Sequence, residues 1–238
     1  MIISIETSTS ELSLTLLDKG NVIKHLSVYF NNGLSEIIVS TIKKFLKDNS
    51  MSLRDISFLA VGCGPGSFTG IRSVISTAMG IDISNNHITS LGISSLAGLA
   101  MSGLNEAKKL KLKYIVSSID SKRDDFFLQL FRINNNENKS LPFINVNNIY
   151  TIKIDNLYKY FEINNLILEE ILFIGYQSSV VKKMISNLNV SEKLKQHPDS
   201  LGVGKLASYL IRNKIDVRNV TFAFEKFKPI YVRPAQIN

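Results

Sequence analysis

The sequence predicts an α/β protein in which one order of elements occurs twice, and three observations carry that expectation. Short apolar runs of strand length alternate with stretches whose apolar residues recur at i, i+3 and i+4. A strand that ends in a turn bearing a carboxylate and is followed by a second strand occurs at Glu6 and again at Asp120. The 238 residues are 45% apolar and 20% charged, a globular composition with chain enough for one large domain or two small ones. No literal repeat accompanies the pattern, so the duplication is read from the elements alone. The expected lobes are residues 1–105 and 106–238.

The chain opens as a three-stranded antiparallel meander. Ile2 to Ile5 form the first strand, Leu12, Leu14 and Leu16 alternate with polar partners in a second that reads as half-buried, and Val22 to Tyr29 follow the turn at Asp18-Lys19-Gly20-Asn21. After Asn31-Asn32-Gly33, the residues Leu34, Ile37, Ile38, Ile42, Phe45 and Leu46 place one apolar stripe on a helix that Asp48-Asn49-Ser50 ends. Ile56 to Val61 read as a strand inside a sheet. A Gly-rich turn comes next, then a helix over Ile71 to Ile83, a strand near Ile88 to Leu91, and a third helix that Ser94 or Ser95 can cap. In the second half Tyr114 to Ile119 and Phe126 to Phe131 form a hairpin, Asn134 to Pro142 a polar loop, and Asp155 a helix cap. Ile171 to Gly175 read as a buried strand, with helices over Tyr176 to Leu188 and Leu201 to Asn213.

The turn Gly64-Pro65-Gly66-Ser67-Phe68-Thr69-Gly70 leads from a strand into a helix. Such a turn has two readings. Its backbone N–H groups and the helix dipole suit an anion; alternatively, glycine is needed because backbone approaches backbone, and this steric reading is favoured. The segment is neither a P-loop nor a dinucleotide fingerprint, since no Gly-Lys-Ser/Thr follows and the glycine spacing differs. The helix that follows is small on one side, at Ser73, Ser76, Thr77 and Gly80, and apolar on the other, at Ile71, Val74, Ile75 and Ala78. Its small side suits close approach by a partner helix, or by the chain's own third helix.

His25, His87 and His197 are far apart in sequence and form no metal-ligand spacing, and no Gly-x-Ser-x-Gly elbow occurs. Cys63, the single cysteine, reads as a small core residue. Glu6, Asp120, Asp124 and Asp125 stand at strand ends and turns, where carboxylates commonly bond backbone; a Mg²⁺ site there is the less favoured reading. The expectation is therefore no catalytic and no metal residue.

Lys plus Arg number 28 against 20 for Asp plus Glu, a net charge of +8 that attracts polyanions at low salt. The excess is mostly Lys in a chain rich in Ile and Asn, a pattern of compositional bias, and its densest stretch, Lys108 to Lys113, reads as a solvated connector. No apolar run approaches the ~18 residues of a membrane span, and no basic segment precedes an apolar one at the N-terminus. A cytoplasmic protein with no membrane contact is expected.

Gly64-Pro65-Gly66-Ser67-Phe68-Thr69-Gly70-Ile71-Arg72 resembles the signature of the TsaB family, bacterial subunits needed with TsaD and TsaE to make threonylcarbamoyladenosine in tRNA. Other segments agree in order: Ile3 to Ser8 with Glu6, Thr7 and Ser8, then Leu34-Ser35-Glu36, Ser94-Ser95-Leu96, Asp120-Ser121-Lys122-Arg123, and Pro229 to Pro234. The resemblance implies an actin/Hsp70-like, ribonuclease H-like fold of two duplicated lobes, each a mixed sheet flanked by helices. It implies a non-catalytic subunit working with a TsaD-like transferase and a TsaE-like ATPase on the adenosine beside the anticodon, touching tRNA indirectly. It implies pairing with TsaD, or with a second copy, through the first two helices, so Leu34, Ile37, Ile38, Ile42, Ile71, Val74, Ile75 and Ala78 become interface candidates. Glu6, Thr7, Ser8 and Asp120 would be the remnant of a nucleotide or metal site.

The chain departs from the family where Leu34 replaces a common His, Val74 a common Gly and Glu6 a more usual Asp. No glycine follows in Thr7-Ser8-Thr9-Ser10, where actin-like ATPases carry one in a phosphate loop. No cofactor is expected for the chain alone, with ATP and Mg²⁺ only at a partner boundary. The alternatives are an actin-like ATPase acting on its own and, behind it, direct tRNA binding by the basic surface.

Overall fold

The order of elements repeats, and the repeat builds two sheets that trade their last helices. In the computed structural model, which describes residues 1–30, 33–135, 140–191 and 197–232, the first pass runs β1 (Ile2–Glu6), β2 (Glu11–Asp18), β3 (Asn21–Tyr29), α1 (Leu34–Asp48), β4 (Phe58–Gly62), α2 (Phe68–Ser84), β5 (Thr89–Ile93) and α3 (Ser95–Lys109). The second runs β6 (Tyr114–Asp120), β7 (Phe126–Ile133), β8 (Phe143–Asn145), β9 (Tyr150–Ile152), α4 (Leu157–Ile163), β10 (Ile171–Gly175), α5 (Ser178–Met184), β11 (Asn189–Val190) and α6 (Ser200–Arg212). A short β12 (Ala223–Phe224) follows and joins the first sheet beside β5. The sheets are ordered β12-β5-β4-β1-β2-β3 and β11-β10-β6-β7-β8, with β9 also on β7. In each, the opening strand is antiparallel to the second and parallel to the strand after the first helix. The duplicated α/β architecture is thus present in topology although no repeat shows in the residues.

Helices α1 and α2 cover one face of the first sheet, through a core of Ile3, Ile5, Leu14, Ile38, Phe45 and Val74 among others. Helices α4 and α5 cover the outer face of the second, over Phe126, Phe161 and Phe173. Between the sheets lie α3 and α6. Helix α3, from the first pass, packs on β6, β7 and β10, while α6, from the second, packs on β1, β2, β4 and β5. The two helices cross tightly: a side chain at Gly202 would overlap the carbonyl oxygen of Gly98, so glycine sets the interaxial distance.

This exchange explains a departure from the half-buried reading of β2. Glu11, Ser13 and Thr15 are as buried as the leucines between them, because α6 begins on that face. Ser13 Oγ accepts from the Ser200 N–H at 2.8 Å, Ser4 Oγ donates to the Ser200 carbonyl at 2.7 Å, and Thr15 Oγ1 meets Ser200 Oγ at 2.7 Å. The polar half of the alternation is therefore a seam of satisfied hydroxyls. Asp199 caps α6 by accepting from Gly202 N–H.

Two caps are corrected. Asp155 lies inside a 3₁₀ turn, Ile154–Asn156, and α4 begins after it with Asn156 at the cap position. Ser94 occupies the cap position of α3 without a side-chain cap bond. The helix expected over Tyr176 to Leu188 is shortened to α5, because Asn187 and Asn189 bond Glu169 and draw the chain into β11 beside β10. Asn31, Asn32, part of the loop between Asn134 and Pro142, and Arg233 and Pro234 lie outside the described residues.

Replacing Gly202 by alanine is expected to force α3 and α6 apart and to lower the unfolding free energy by about 1–3 kcal/mol, the range for overpacking. Urea denaturation measures it; an unchanged midpoint would show that the crossing is loose.

Candidate functional site

The Gly-rich turn sits at the end of β4, next to the end of β1, since the two strands are parallel neighbours. Rather than opening to solvent, it presses on the β1–β2 turn. Thr7 Oγ1 donates to the Gly70 carbonyl at 2.8 Å, the Ser67 N–H donates to the Ser8 carbonyl at 2.7 Å, and any side chain at Gly70 would strike the Thr7 carbonyl. Gly64 and Gly66 take φ of +93° and +152°. Gly66 and Gly70 are thus accounted for by close approach to the backbone of Ser8 and Thr7, and Gly64 by its left-handed φ. Pro65 is buried at the bend, Ser67 caps α2 by accepting from Gly70 N–H at 3.2 Å, and Thr69 is exposed.

Glu6 is 1% exposed and its carboxylate is fully engaged. Oε1 accepts from the N–H groups of Thr7 and Ser8 at 2.8 and 2.7 Å, and Oε2 accepts from Ser95 Oγ at 2.7 Å. The carboxylate crosses the backbone of Gly62, where a side chain would overlap it. Ser95 in turn accepts from Gly64 N–H at 3.1 Å, and its own N–H donates to the Gly64 carbonyl at 2.7 Å. One buried carboxylate therefore ties together the β1–β2 turn, the Gly-rich turn and the first residue of α3. Burial pushes its pKa above the ordinary 4.5, opposed by the hydrogen bonds of Ser95, Ser8 and Thr7.

Asp120 closes the matching turn of the second half. Its Oδ1 accepts from the Lys122 N–H at 2.8 Å, while Oδ2 pairs with Lys122 Nζ at 3.0 Å. Asp120 is half-buried. The same residue geometry, a strand-end carboxylate accepting the N–H two residues on, thus occurs at both hairpins. Asp124 is exposed and Asp125 is bonded by Ser121 Oγ.

The interface candidates Leu34, Ile38, Ile42, Ile71, Val74, Ile75 and Ala78 are buried in the core against the first sheet, and Ile37 is half-buried against it. The physical reason is that an apolar stripe is the face a helix turns inward. The apolar side of α2 packs on β4 and α1. Facing outward on the same helices are Ser35, Val39, Phe68, Arg72, Ser76, Met79, Gly80 and Ile83. Ser35 and Ser73 link α1 to α2 at 2.9 Å. Arg72 stacks 3.8 Å over the ring of Phe68, and its Nε donates to Tyr231 Oη at 3.0 Å. This exposed aromatic–guanidinium cluster joins α2 to the Pro229 to Val232 segment; an arginine one turn after a phenylalanine was its only sequence signal.

Cys63 is buried, and burial pushes its thiol up to about 12, as suits a core residue. His25 bonds Thr15 and Ser27, His87 meets the Leu53 carbonyl, and His197 lies 3.6 Å from Glu11. Among the described residues no three His, Cys, Asp or Glu side chains group as a metal site, and no helix is long and apolar enough to cross a membrane.

Comparison with known proteins follows the same elements. The sequence matches the family TsaD, tRNA N6-adenosine threonylcarbamoyltransferase, over residues 31–236. It is 33% identical over 118 residues to the tRNA threonylcarbamoyladenosine biosynthesis protein TsaB of Buchnera aphidicola subsp. Schizaphis graminum, covering 50% of this chain and 55% of that one. The TsaB of Escherichia coli K12 is 29% identical over 53% of this chain and 52% of its own length. The chain thus spans about half the length of these curated relatives. The TsaB of Bacillus subtilis 168 is 27% identical over 79% and 76%. In structure, an uncharacterized protein from Pseudomonas aeruginosa with similarity to peptidase YeaZ superposes with a TM-score of 0.69 at 16% identity over 98% and 99% of the chains. Component A of (R)-2-hydroxyglutaryl-CoA dehydratase from Acidaminococcus fermentans superposes at 0.52 and 12% identity over 90% and 98%. At these identities the two structures share the fold.

A raised carboxyl pKa means that the folded chain keeps the Glu6 proton longer than the unfolded chain does. Its stabilising contribution is full below the ordinary value of 4.5 and is lost as pH rises through the folded-state value. Urea unfolding of wild type and Glu6→Gln between about pH 4 and 8 is expected to show wild type losing stability relative to the variant as pH rises. A difference that grows in the opposite direction would mean that the hydrogen bonds outweigh burial.

Proposed function

With the premise that the chain belongs to the TsaB family, within the TsaD-type threonylcarbamoyltransferases, we propose that it is a non-catalytic subunit supporting threonylcarbamoyl transfer to the adenosine beside the anticodon of tRNA. Its partners in this reading are a TsaD-like transferase and a TsaE-like ATPase. One observation carries the non-catalytic part: the Glu6 carboxylate, where an actin-like enzyme would meet its ligand, is buried and saturated by Thr7, Ser8 and Ser95. A carboxylate with both oxygens engaged and a glycine backbone across it has no room for Mg²⁺ or phosphate. Asp120 pairs with Lys122, which supports the same reading of the second turn. In this reading ATP and Mg²⁺ bind only at a boundary with a partner, and tRNA contact is indirect, within a cytoplasmic assembly.

The partner surface is the outward side of α1 and α2, where a second copy of the chain is the competing occupant. Gly80 supports it. The residue is exposed inside a 17-residue helix, and nothing lies within 4 Å of where its side chain would stand. Glycine there weakens the helix by about 0.8–1.0 kcal/mol relative to alanine, with no packing in the chain itself to offset it. A partner helix crossing close to the backbone does offset it.

The test is co-purification with the TsaD-like protein of the same cell. Gly80→Leu is expected to abolish the complex while keeping or raising the melting temperature of the isolated chain, and Gly80→Ala to stabilise that chain by up to about 1 kcal/mol. Retention of the complex by Gly80→Leu would move the partner surface elsewhere, and tRNA modification by the chain alone would end the non-catalytic reading.

A further inference from the structure

Arg72, on the outward side of α2, is held more firmly than an exposed arginine needs to be. Its guanidinium carbon lies 3.8 Å from the centre of the Phe68 ring and 5.9 Å from that of Tyr231, and its Nε donates to Tyr231 Oη at 3.0 Å. The two rings meet in turn, with centroids 5.4 Å apart. Tyr231 is itself fixed through its neighbour Ile230, whose N–H donates to the Cys63 carbonyl at 2.8 Å. These contacts leave over the forked end of the guanidinium: among the described residues, neither terminal nitrogen of Arg72 has a hydrogen-bond or ion-pair partner. The first turn of α2 holds no acidic residue.

Fixing a long side chain costs rotamer entropy, and the free chain has already met that cost here. A planar fork so held suits a carboxylate, which it takes up through two parallel N–H···O bonds. Phe68 and Tyr231 are 37% and 45% exposed, so a partner that covers these rings also shuts water out around the fork. Phe68, Arg72, Ser76 and Gly80 follow at four-residue intervals, in one line along the helix. A partner helix crossing at Gly80 is therefore about 12 Å along the axis from Arg72. Nucleic acid is the poorer fit, because Arg72 is the only basic residue of α2 and a phosphate backbone is bound by several. We propose, resting on the partner surface assigned to α1 and α2, that Arg72 is its charged anchor. Positioned by Phe68 and Tyr231, it pairs with an Asp or Glu side chain of the protein that docks there.

Calorimetric titration of the full chain with the TsaD-like protein of the same cell tests the anchor. Arg72→Ala is expected to weaken the complex about tenfold or more. Arg72→Lys keeps the charge but not the fork and is expected to stay within about threefold of Arg72→Ala. Tyr231→Phe keeps the ring and removes the Nε acceptor, and a smaller loss is expected. Rising salt should weaken the wild-type complex more steeply than that of Arg72→Ala, a difference that a merely structural Arg72 does not produce. Should Arg72→Ala fail to fold, Arg72→Lys carries the same comparison. Equal affinity of wild type and a folded Arg72→Ala, or full recovery by Arg72→Lys, would overturn the anchor. If Gly80→Leu still abolishes the complex in that case, the surface stands and only the anchor falls; if Gly80→Leu binds as well, the surface falls too. Loss of tRNA affinity in Arg72→Ala with partner affinity unchanged would overturn the carboxylate in favour of phosphate.

Discussion

Helices α3 and α6 meet at Gly98 and Gly202, and the positions of both sheets follow from how closely they do so. Each helix comes from one half of the chain and rests on the sheet of the other, so neither half covers the inner face of its own sheet. The central core accordingly holds residues from both sheets and both helices, from Ile2 and Ala60 to Phe131 and Ile174. A few tenths of an ångström at the crossing would move everything that begins there. Ser94 and Ser95 lie one turn before Gly98, whose N–H donates to the Ser94 carbonyl. The hydrogen bond from Ser95 to Glu6 is therefore set by the same contact.

Glu6 and Asp120 show how a duplicated device diverges with burial. Both accept the backbone N–H two residues ahead, the bond that closes a tight turn. Asp120 keeps solvent and one lysine, an arrangement worth about 0–1 kcal/mol at a surface. Glu6 has lost solvent and gained three donors, including a hydroxyl from 89 residues away. Taking a carboxylate out of water is tolerable only when its oxygens are met, which is why the surrounding chain is so constrained: Gly62 must lack a side chain, and Ser95 must stand at the first turn of α3. The Gly-rich turn is one more part of this joint, held by Thr7 and Ser8.

What could be read in the residues, and what could not, divides along the same physical line. Strand and helix identities were legible because periodicity reports burial: β1, β4, β6 and β10 read as apolar runs, and α1 by its stripe. The turn carboxylates and the steric need for glycine were legible from local chemistry. The seam of Ser13 and Thr15 with Ser200 was not, since it joins residues nearly 190 positions apart, and alternation alone makes such residues look solvated. The brief strands β8, β9, β11 and β12 were missed because two or three residues carry no period. Ser95 was visible only as a cap candidate; that a buried Glu6 needed a hydroxyl donor from elsewhere follows only once the strands are placed.

The same line accounts for the interface candidates. A sequence pattern marks the side of a helix that excludes water, and in α1 and α2 the chain itself occupies that side, through Ile38, Ile42, Val74 and Ala78. A surface meant for another protein must stay soluble while it is free, so it cannot be a second continuous stripe. It has to be built from small and polar residues with a few large ones among them, and the outward side of α2, with Arg72, Ser76, Gly80, Phe68 and Met79, has that makeup. Charge obeys the same reasoning. Exposed lysines stand on α1 at Lys43, Lys44 and Lys47, at the end of α3, and on α5. Spread over elements on different faces, they give a field around the molecule rather than a groove for one strand of nucleic acid, and a diffuse field attracts a polyanion without selecting where it binds.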